Sequence, residues 1–456
     1  MPAEPIDLTR PRRIHVVGIG GAGMSGLARV LVALGHTVTG SDLASSAVAS
    51  SLGSVGVTVA VGHDASHVDG ADLVTASPAV PPDNVECQAA VARGITLASR
   101  ADMLAAVTSL RSTLAVTGTH GKTTTSSMLA LVLAVADRSP SWLLGADVAG
   151  LGANAHLGEG DELVLEADES YGAFAQLAPT LVAVTNVEAD HLDHYGSLEA
   201  LRDAFGALMA RSTTRIVNAD DPGAASLGDE VGALRVGRAS TDDFSISGVV
   251  LERSTSRFTL THAGGVLELR VGAPGHHNVS NAALAAAVAL TRGVAPDHVV
   301  DALGRFAGVP RRFEFRGDVL GATVVDDYAH LPAEVAATVS AARAGGWPRI
   351  VAVFQPHRYT RTAAVSGGFA GAFDGVDILV VTDVYAAGEP PIPGVTGRLV
   401  ADAVAAAPDA PQVRYVKDRS DVAGEVAALL APGDLLLTMG AGDLTTLADE
   451  LREAGR

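Results

Sequence analysis

A single cysteine, Cys87, stands in 456 residues, which excludes an intramolecular disulfide framework and any metal cluster built on several thiolates. Such usage fits a reducing compartment, so a cytoplasmic location is expected. Aromatic residues are scarce at 4%, leaving Ala, Val and Leu to fill whatever cores exist. Basic residues are in deficit, 32 Lys and Arg against 51 Asp and Glu, for a formal charge of -19. A surface of that sign repels phosphate backbones and anionic headgroups, so neither nucleic acid nor a lipid surface is an expected partner. No apolar run reaches bilayer length. The longest helical candidate, SSMLALVLAVAD, is too short to span and reads as a core helix despite a mean hydropathy of +0.29. Membrane insertion is therefore not expected. The opening MPAEPIDLTRPRR has no apolar stretch behind it, is not a secretory signal, and reads as a short disordered lead-in.

What is present is ample core material: 48% of residues are hydrophobic and 18% charged. At roughly 150 residues per domain, the length favours about three domains. Over residues 1–106, Val-rich runs (IHVVG, HTVTGSD, VTVAVG, ADLVTAS, ITLAS) alternate with Ala/Leu-rich helical stretches. That is the pattern of a Rossmann-like, doubly wound α/β domain with a parallel sheet. A second α/β domain, 107–316, opens on STLAVTG and continues through ELVLEAD, TLVAVTNV and RIVNAD. The short alternating stretches FSISGVVLE, RFTLTHA and GVLELRV predict an antiparallel subregion within it. A third, again Rossmann-like α/β domain, 317–456, carries ATVVDDYAH, RIVAVFQP, DILVVTDVY, VRYVKD and DLLLTMGAG.

TGTHGKTTT, residues 117–125, sits between an apolar strand and an apolar helix. Gly118 and Gly121 let the backbone wrap close to phosphate, Lys122 can reach the β/γ-phosphates, and Thr123 can place its hydroxyl on Mg²⁺. Val116 stands where a full Walker A would have its first glycine, so the loop is a shortened variant, and alone it predicts only a bound nucleoside triphosphate. Removing a loop lysine such as Lys122 should cost activity and little stability.

Nearer the start, Gly18, Gly20 and Gly23 form G-x-G-x-x-G between a strand and a helix, and Asp42 ends the next strand. The physics asks only for a pyrophosphate on a helix N-terminus, which a nucleotide-sugar supplies as well as NAD does. Glu166, Asp168 and Glu169 cluster at the end of ELVLEADES, and Asp190, His191, Asp193 and His194 follow TLVAVTNV. Carboxylates and His at two strand ends beside a phosphate loop predict a metal site. Asn278 and Asn281 share one helix face and can meet a base or ribose, or Asn278 can be an N-cap. In the last third, Asp326, Asp327, Tyr328 and His330 lie at a strand end, and His357, Arg358 and Arg361 crowd one loop. In so acidic a chain, that basic cluster predicts a bound anion.

Taken together, GIGGAGMSGLA, TGTHGKTTT, EADES, TNVEADHLDHY, GHHNVSNAALAA, GVPRRFE, DDYAHLPAEV, FQPHRYTRT, VYAAGE and GAGDL, in this order, resemble the Mur ligase family across nearly the whole chain. The resemblance implies three domains, the last closing over the others. It implies ATP and Mg²⁺, with UDP-N-acetylmuramate and L-alanine as substrates, a monomer or homodimer, and no NAD. Carried over by position, Gly18, Gly20, Gly21, Gly23, Asp42, Ser77 and Arg100 would hold the UDP-sugar, with His330, His357, Arg358 and Arg361. Gly118, Thr119, His120, Gly121, Lys122, Thr123 and Thr124 would hold ATP phosphates, and Asn278 and Asn281 its base and ribose. Thr123, Glu166 and His191 would ligate metal; Lys122, Arg312 and one of Asp326 or Asp327 would act on the reacting groups. The chain departs from the family pattern at Tyr171 and Leu331, which bears on substrate contacts rather than on the metal site.

Overall fold

The computed structural model describes residues 6–454, apart from 46 and 191. The described part of the lead-in, from Ile6 on, is ordered rather than disordered. Leu8 is 3% exposed in the first core cluster, with Ile6 packed against it, because two apolar side chains within the polar opening suffice to anchor it.

By internal contacts the chain divides into two compact units, one made of Met1–Ser247, Thr259–Leu269 and Ser280–Phe306, the other of Gly248–Phe258, Arg270–Val279 and Ala307–Arg456. The first unit contains a five-stranded sheet ordered Thr58–Val61, Thr37–Asp42, Arg13–Val17, Leu73–Ala76, Thr96–Ser99. All its pairings are parallel, and its strands bury Ile14, Val16, Val38 and Leu73. The strand order reverses between Arg13–Val17 and Leu73–Ala76. Both connections leave that point in opposite directions, which opens a crevice beyond the carboxyl ends of these two strands.

A second sheet places Ser112–Thr117 between Leu181–Val184 and Glu162–Glu166, all parallel. Val, Leu and Ala fill these strands because helices cover both faces, so no polar alternation survives. The helix Lys122–Val135 starts immediately behind the phosphate loop and buries Met128, Leu129, Leu131, Val132 and Leu133, as its apolar sequence requires. The expected antiparallel stretches form Phe244–Leu251, Ser256–His262 and Gly265–Val271 at the other end of this sheet.

The second unit contains a six-stranded sheet ordered Glu314–Val319, Ala322–Asp327, Leu435–Met439, Ile350–Phe354, Ile378–Thr382, Gln412–Val416. Its pairings are parallel except at Glu314–Val319, which runs antiparallel to Ala322–Asp327. Phe354 meets Phe369 at a tilt and Phe373 edge to face in its core, which accounts for three of the few aromatic side chains. Among the described residues, no helix is long and apolar enough to cross a membrane.

Candidate active site

The first glycine motif lies at the crevice of the five-stranded sheet. Gly18 has φ +73°, and a Cβ there would come within 3.0 Å of Ser77 and Val80, so only glycine lets the two strand ends close on one another. The Gly20 amide donates to Asp42 Oδ2 at 2.8 Å. Gly21 precedes the helix Ala22–Ala33, and a Cβ on Gly23 would fall 2.6 Å from the Arg100 guanidinium. Gly18, Gly21, Asp42 and Ser77, with His63, line one cavity of about 630 Å³. The buried Nε of Arg100 makes no hydrogen bond. A positive helix end with an underused guanidinium beside it suits an anion such as a pyrophosphate.

At the second sheet, the ends of three adjacent strands converge. The loop 118–121 is stitched to the end of Leu181–Val184. Thr185 Oγ1 donates to the His120 carbonyl at 2.6 Å, and the His120 amide donates to Asn186 Oδ1 at 2.7 Å. Thr119 Oγ1 accepts from the Glu188 amide at 2.9 Å, and Thr124 is buried just behind the loop. Gly121 has φ +79°, and a Cβ there would lie 2.5 Å from Asn281 Oδ1, so Asn281 reaches the loop. Asn278 is not an N-cap. The helix His276–Thr291 begins before it, and its Nδ2 donates back to the Pro274 carbonyl at 2.7 Å.

Lys122 Nζ donates to the carbonyls of Gly118 at 2.7 Å and Thr119 at 3.1 Å, and to both Glu169 oxygens at 3.0 and 2.7 Å. Burial pushes the ammonium pKa down, but Glu169 and Asp168 outweigh it and hold it above its usual value. Burial raises Glu169, only 1% exposed, to about 7 against the pull of Lys122. Lys122 is therefore the ion-pair partner of a buried acid, and its removal would leave that acid unpaired.

Thr123 Oγ1 donates to Glu166 Oε1 at 2.8 Å, and the Gly145 amide donates to Glu166 Oε2 at 2.6 Å. Burial holds the Glu166 carboxyl above its usual range although Lys122 and Thr123 oppose it. A hydroxyl and a carboxylate side by side, with the carboxylate short of positive charge, are hard oxygen donors that fit Mg²⁺, an ion that keeps several waters and takes phosphate oxygens for the rest. Among the described residues, no group of three or more His, Cys, Asp or Glu is arranged to hold a metal. His191 lies outside the described residues, as does the side chain of Tyr171.

The second unit gathers the remaining candidates. Asp326 Oδ1 and Oδ2 accept from Thr438 and Thr445 hydroxyls, each at 2.7 Å, with Arg311 Nε 3.5 Å away. Asp327 accepts the Phe313 and Ala329 amides at 2.7 Å each, and burial raises it to about 6 although Arg312 pulls it down. Arg311 and Arg312 both lie over the Tyr328 ring, 4.9 and 5.0 Å from its centroid. His330 and His357 meet edge to face at 5.8 Å, and Arg361 Nη1 lies 3.3 Å from His357 Nδ1. Arg358, at φ +66°, has its Nε buried without a hydrogen bond. Burial, then the His330, Arg361 and Arg358 charges, hold His357 at about 4, so this is a cationic corner suited to an anion. Leu331 is buried, and its amide donates to Glu334 Oε2 at 3.2 Å, so that departure is a packing residue at a helix start.

Family models match three consecutive stretches: "Mur ligase family, catalytic domain" over residues 13–111, "Mur ligase middle domain" over 116–289 and "Mur ligase, glutamate ligase domain" over 311–442. A UDP-N-acetylmuramate--L-alanine ligase of Nitratidesulfovibrio vulgaris is 44% identical, covering 96% of this chain and 97% of its own. The chain belongs to the Mur ligase family. Another relative of this Mur ligase, a UDP-N-acetylmuramate--L-alanine ligase of Thermobifida fusca, is 42% identical over 99% of this chain and 98% of its own. Among solved structures, UDP-N-acetylmuramate-alanine ligase from Thermotoga maritima superposes with a TM-score of 0.83 at 30% identity, covering 97% of this chain and 99% of that one. A murein peptide ligase from Psychrobacter arcticus shares the fold, with a TM-score of 0.70 at 24% identity.

The sequence marked Glu169 only as one acid of a cluster, and it passed over Glu86, His63 and His67. Glu169 is 47 residues from Lys122, and no local spacing encodes so distant a pair.

Proposed function

We propose that this chain joins L-alanine to the lactyl carboxylate of UDP-N-acetylmuramate in the cytoplasm, using ATP and Mg²⁺, as a step of cell-wall peptidoglycan synthesis. The observation that carries the reading is the convergence of Lys122, Thr123 and Glu166 on one loop and its neighbouring strand end, in a chain that matches relatives bearing that enzyme's name over 97% and 98% of their length. The domains run 1–106, 107–316 and 317–456, and the protein acts as a monomer or homodimer.

ATP lies with its phosphates on the loop 118–124, where backbone amides and the helix start Lys122–Val135 oppose its charge. The lactyl carboxylate attacks the γ-phosphorus in line, the bond to the β-phosphate oxygen breaks, and ADP leaves with that electron pair. Lys122 neutralises charge on the transferring group, which requires its ammonium to exchange Glu169 for phosphate oxygens. Mg²⁺, held by Thr123 and Glu166 with His191 at a second position, would supply charge neutralisation on the phosphates. The alanine amine then attacks the acyl phosphate carbonyl and inorganic phosphate departs, with Arg312 steadying the developing negative charge. Asn281, against Gly121, meets the nucleoside end of ATP together with Asn278. The glycine crevice holds the UDP pyrophosphate, and His330, His357, Arg358 and Arg361 form an anion-binding corner of the second unit. The test is incubation of the purified chain with ATP, Mg²⁺, UDP-N-acetylmuramate and single amino acids, with mass spectrometry of the condensed nucleotide. Product with alanine supports the reading, and its absence refutes it.

A further inference from the structure

Behind the glycine crevice lies a polar cluster that the proposed chemistry does not use. Glu86, in the first turn of Val85–Ala92, is completely buried. It accepts from Ser41 Oγ at 2.5 Å, His67 Nδ1 at 2.6 Å, His63 Nδ1 at 3.0 Å and the Asp64 amide at 3.3 Å. His15 Nε2 stands 3.7 Å away, and its Nδ1 lies 2.8 Å from Thr39 Oγ1. Burial pushes the Glu86 carboxyl up, but the His15 ring 3.7 Å away and the hydrogen bonds from Ser41 and His67 prevail and hold it at about 2. It is therefore an ionised carboxylate, which only accepts hydrogen bonds.

That geometry fixes a proton. The Glu86 carboxylate cannot donate, and the Ser41 hydroxyl, 3.1 Å from the same nitrogen, gives its one hydrogen to Glu86, so His63 Nδ1 carries the hydrogen between them, and in a neutral imidazole the other nitrogen is then a bare lone pair. His63 Nε2 has no partner among the described residues. The His63 side chain is 13% exposed and lines the cavity shared by Gly18, Gly21, Asp42 and Ser77.

We propose that Glu86 is a positioning residue of the nucleotide pocket: it locks His63 in the Nδ1–H tautomer, so that Nε2 accepts a hydrogen bond from a donor on the bound nucleotide. The inference rests on the nucleotide-sugar reading of this cavity. A uridine nucleotide offers two kinds of donor, the imide N–H of its base and the ribose hydroxyls. Cytosine has an acceptor where uracil has that N–H, so the first choice would make the pocket select uridine over cytidine nucleotides. A site that loses one good hydrogen bond binds about tenfold more weakly.

The full-length protein, labelled with ¹⁵N-histidine, reports the His63 tautomer by NMR, while calorimetry measures UDP, CDP, 2′-deoxy-UDP and ATP binding to the wild type and to Glu86→Gln. The glutamine keeps the shape but can donate to Nδ1 and so reverse the tautomer. The expected results are an Nδ1–H tautomer in the wild type and, in the variant, about tenfold weaker UDP binding with ATP binding unchanged. In the wild type, weaker CDP binding assigns the contact to the imide, weaker 2′-deoxy-UDP binding assigns it to the ribose, and equal binding of all three overturns the proposal. An Nε2–H tautomer in the wild type overturns it, as does UDP binding that the variant leaves unchanged. Equal losses for UDP and ATP would reveal a merely structural residue and overturn it too. If the wild type binds no UDP at all, this inference falls together with the nucleotide-sugar reading, whereas UDP binding indifferent to Glu86 defeats this inference alone.

Discussion

Lys122 carries its charge into a buried place, and its replacement therefore has two consequences. Lys122→Ala removes the cation facing the transferring phosphoryl group, so ligation should fall by at least about a thousandfold. It also strips Glu169 of its ion pair, which should cost about 1–3 kcal/mol in denaturant unfolding, limited because Glu169, at about 7, can take a proton. Near-normal turnover, or an unchanged unfolding midpoint, would contradict these roles. Glu166→Gln should raise the Mg²⁺ concentration for half-maximal turnover by about tenfold or more; an unaltered Mg²⁺ titration would remove Glu166 from the metal site. His277 is held at about 4, below its ordinary 6.5, by burial and then by the Arg312 charge. A base with a depressed native pKa gives stability that is complete above about 6.5 and is lost as pH falls towards 4, at most about 1.4 kcal/mol per pH unit. Thermal melts across that window should show the decline, and His277→Gln should flatten it; parallel curves would rule His277 out. At this scale, Lys122, Thr123 and Glu166 were legible because loop chemistry fixes their spacing. Glu169 and Glu86 were not, since their partners come from strands and turns far away in sequence.

Elements converge where backbone must approach backbone. Gly118 has φ +130°, and a Cβ there would fall 2.1 Å from Thr185 Oγ1 and within 2.9 Å of the Asn186 backbone. Gly118→Ala must push the phosphate loop off the neighbouring strand end, so ATP binding by calorimetry should weaken by more than about tenfold, the equivalent of ~1.4 kcal/mol of strain. Wild-type affinity would show that the loop does not depend on this contact. The long buried strands were readable as Val- and Leu-rich runs because both faces of a parallel sheet are covered. Glu314–Val319 was not: its sequence EFRGDV mixes charges with a glycine, and the pairing to Ala322–Asp327 shifts register between Phe315 and Asp318. Ser141–Leu143 and Ala155–His156 are too short to carry a period at all.

For the whole molecule, the deficit of positive charge sharpens the meaning of each basic group that does gather, since a chain of formal charge -19 binds anions only where helix starts and arginines are placed for it. The α/β class and the three strands Phe244–Leu251, Ser256–His262 and Gly265–Val271 followed from hydrophobic period alone. The anchoring of the opening segment through Leu8 did not, because a single buried leucine leaves no periodic trace. Amino-acid choice is set by pocket shape, which no spacing rule expresses. The most direct test of the central claim is the mass of the nucleotide formed when the wild-type chain meets ATP, Mg²⁺, UDP-N-acetylmuramate and a panel of amino acids and short peptides. A condensed product that appears with L-alanine, and disappears in Lys122→Ala, is the expected result. ATP hydrolysis without any condensed nucleotide, or condensation with a peptide in place of alanine, would contradict it.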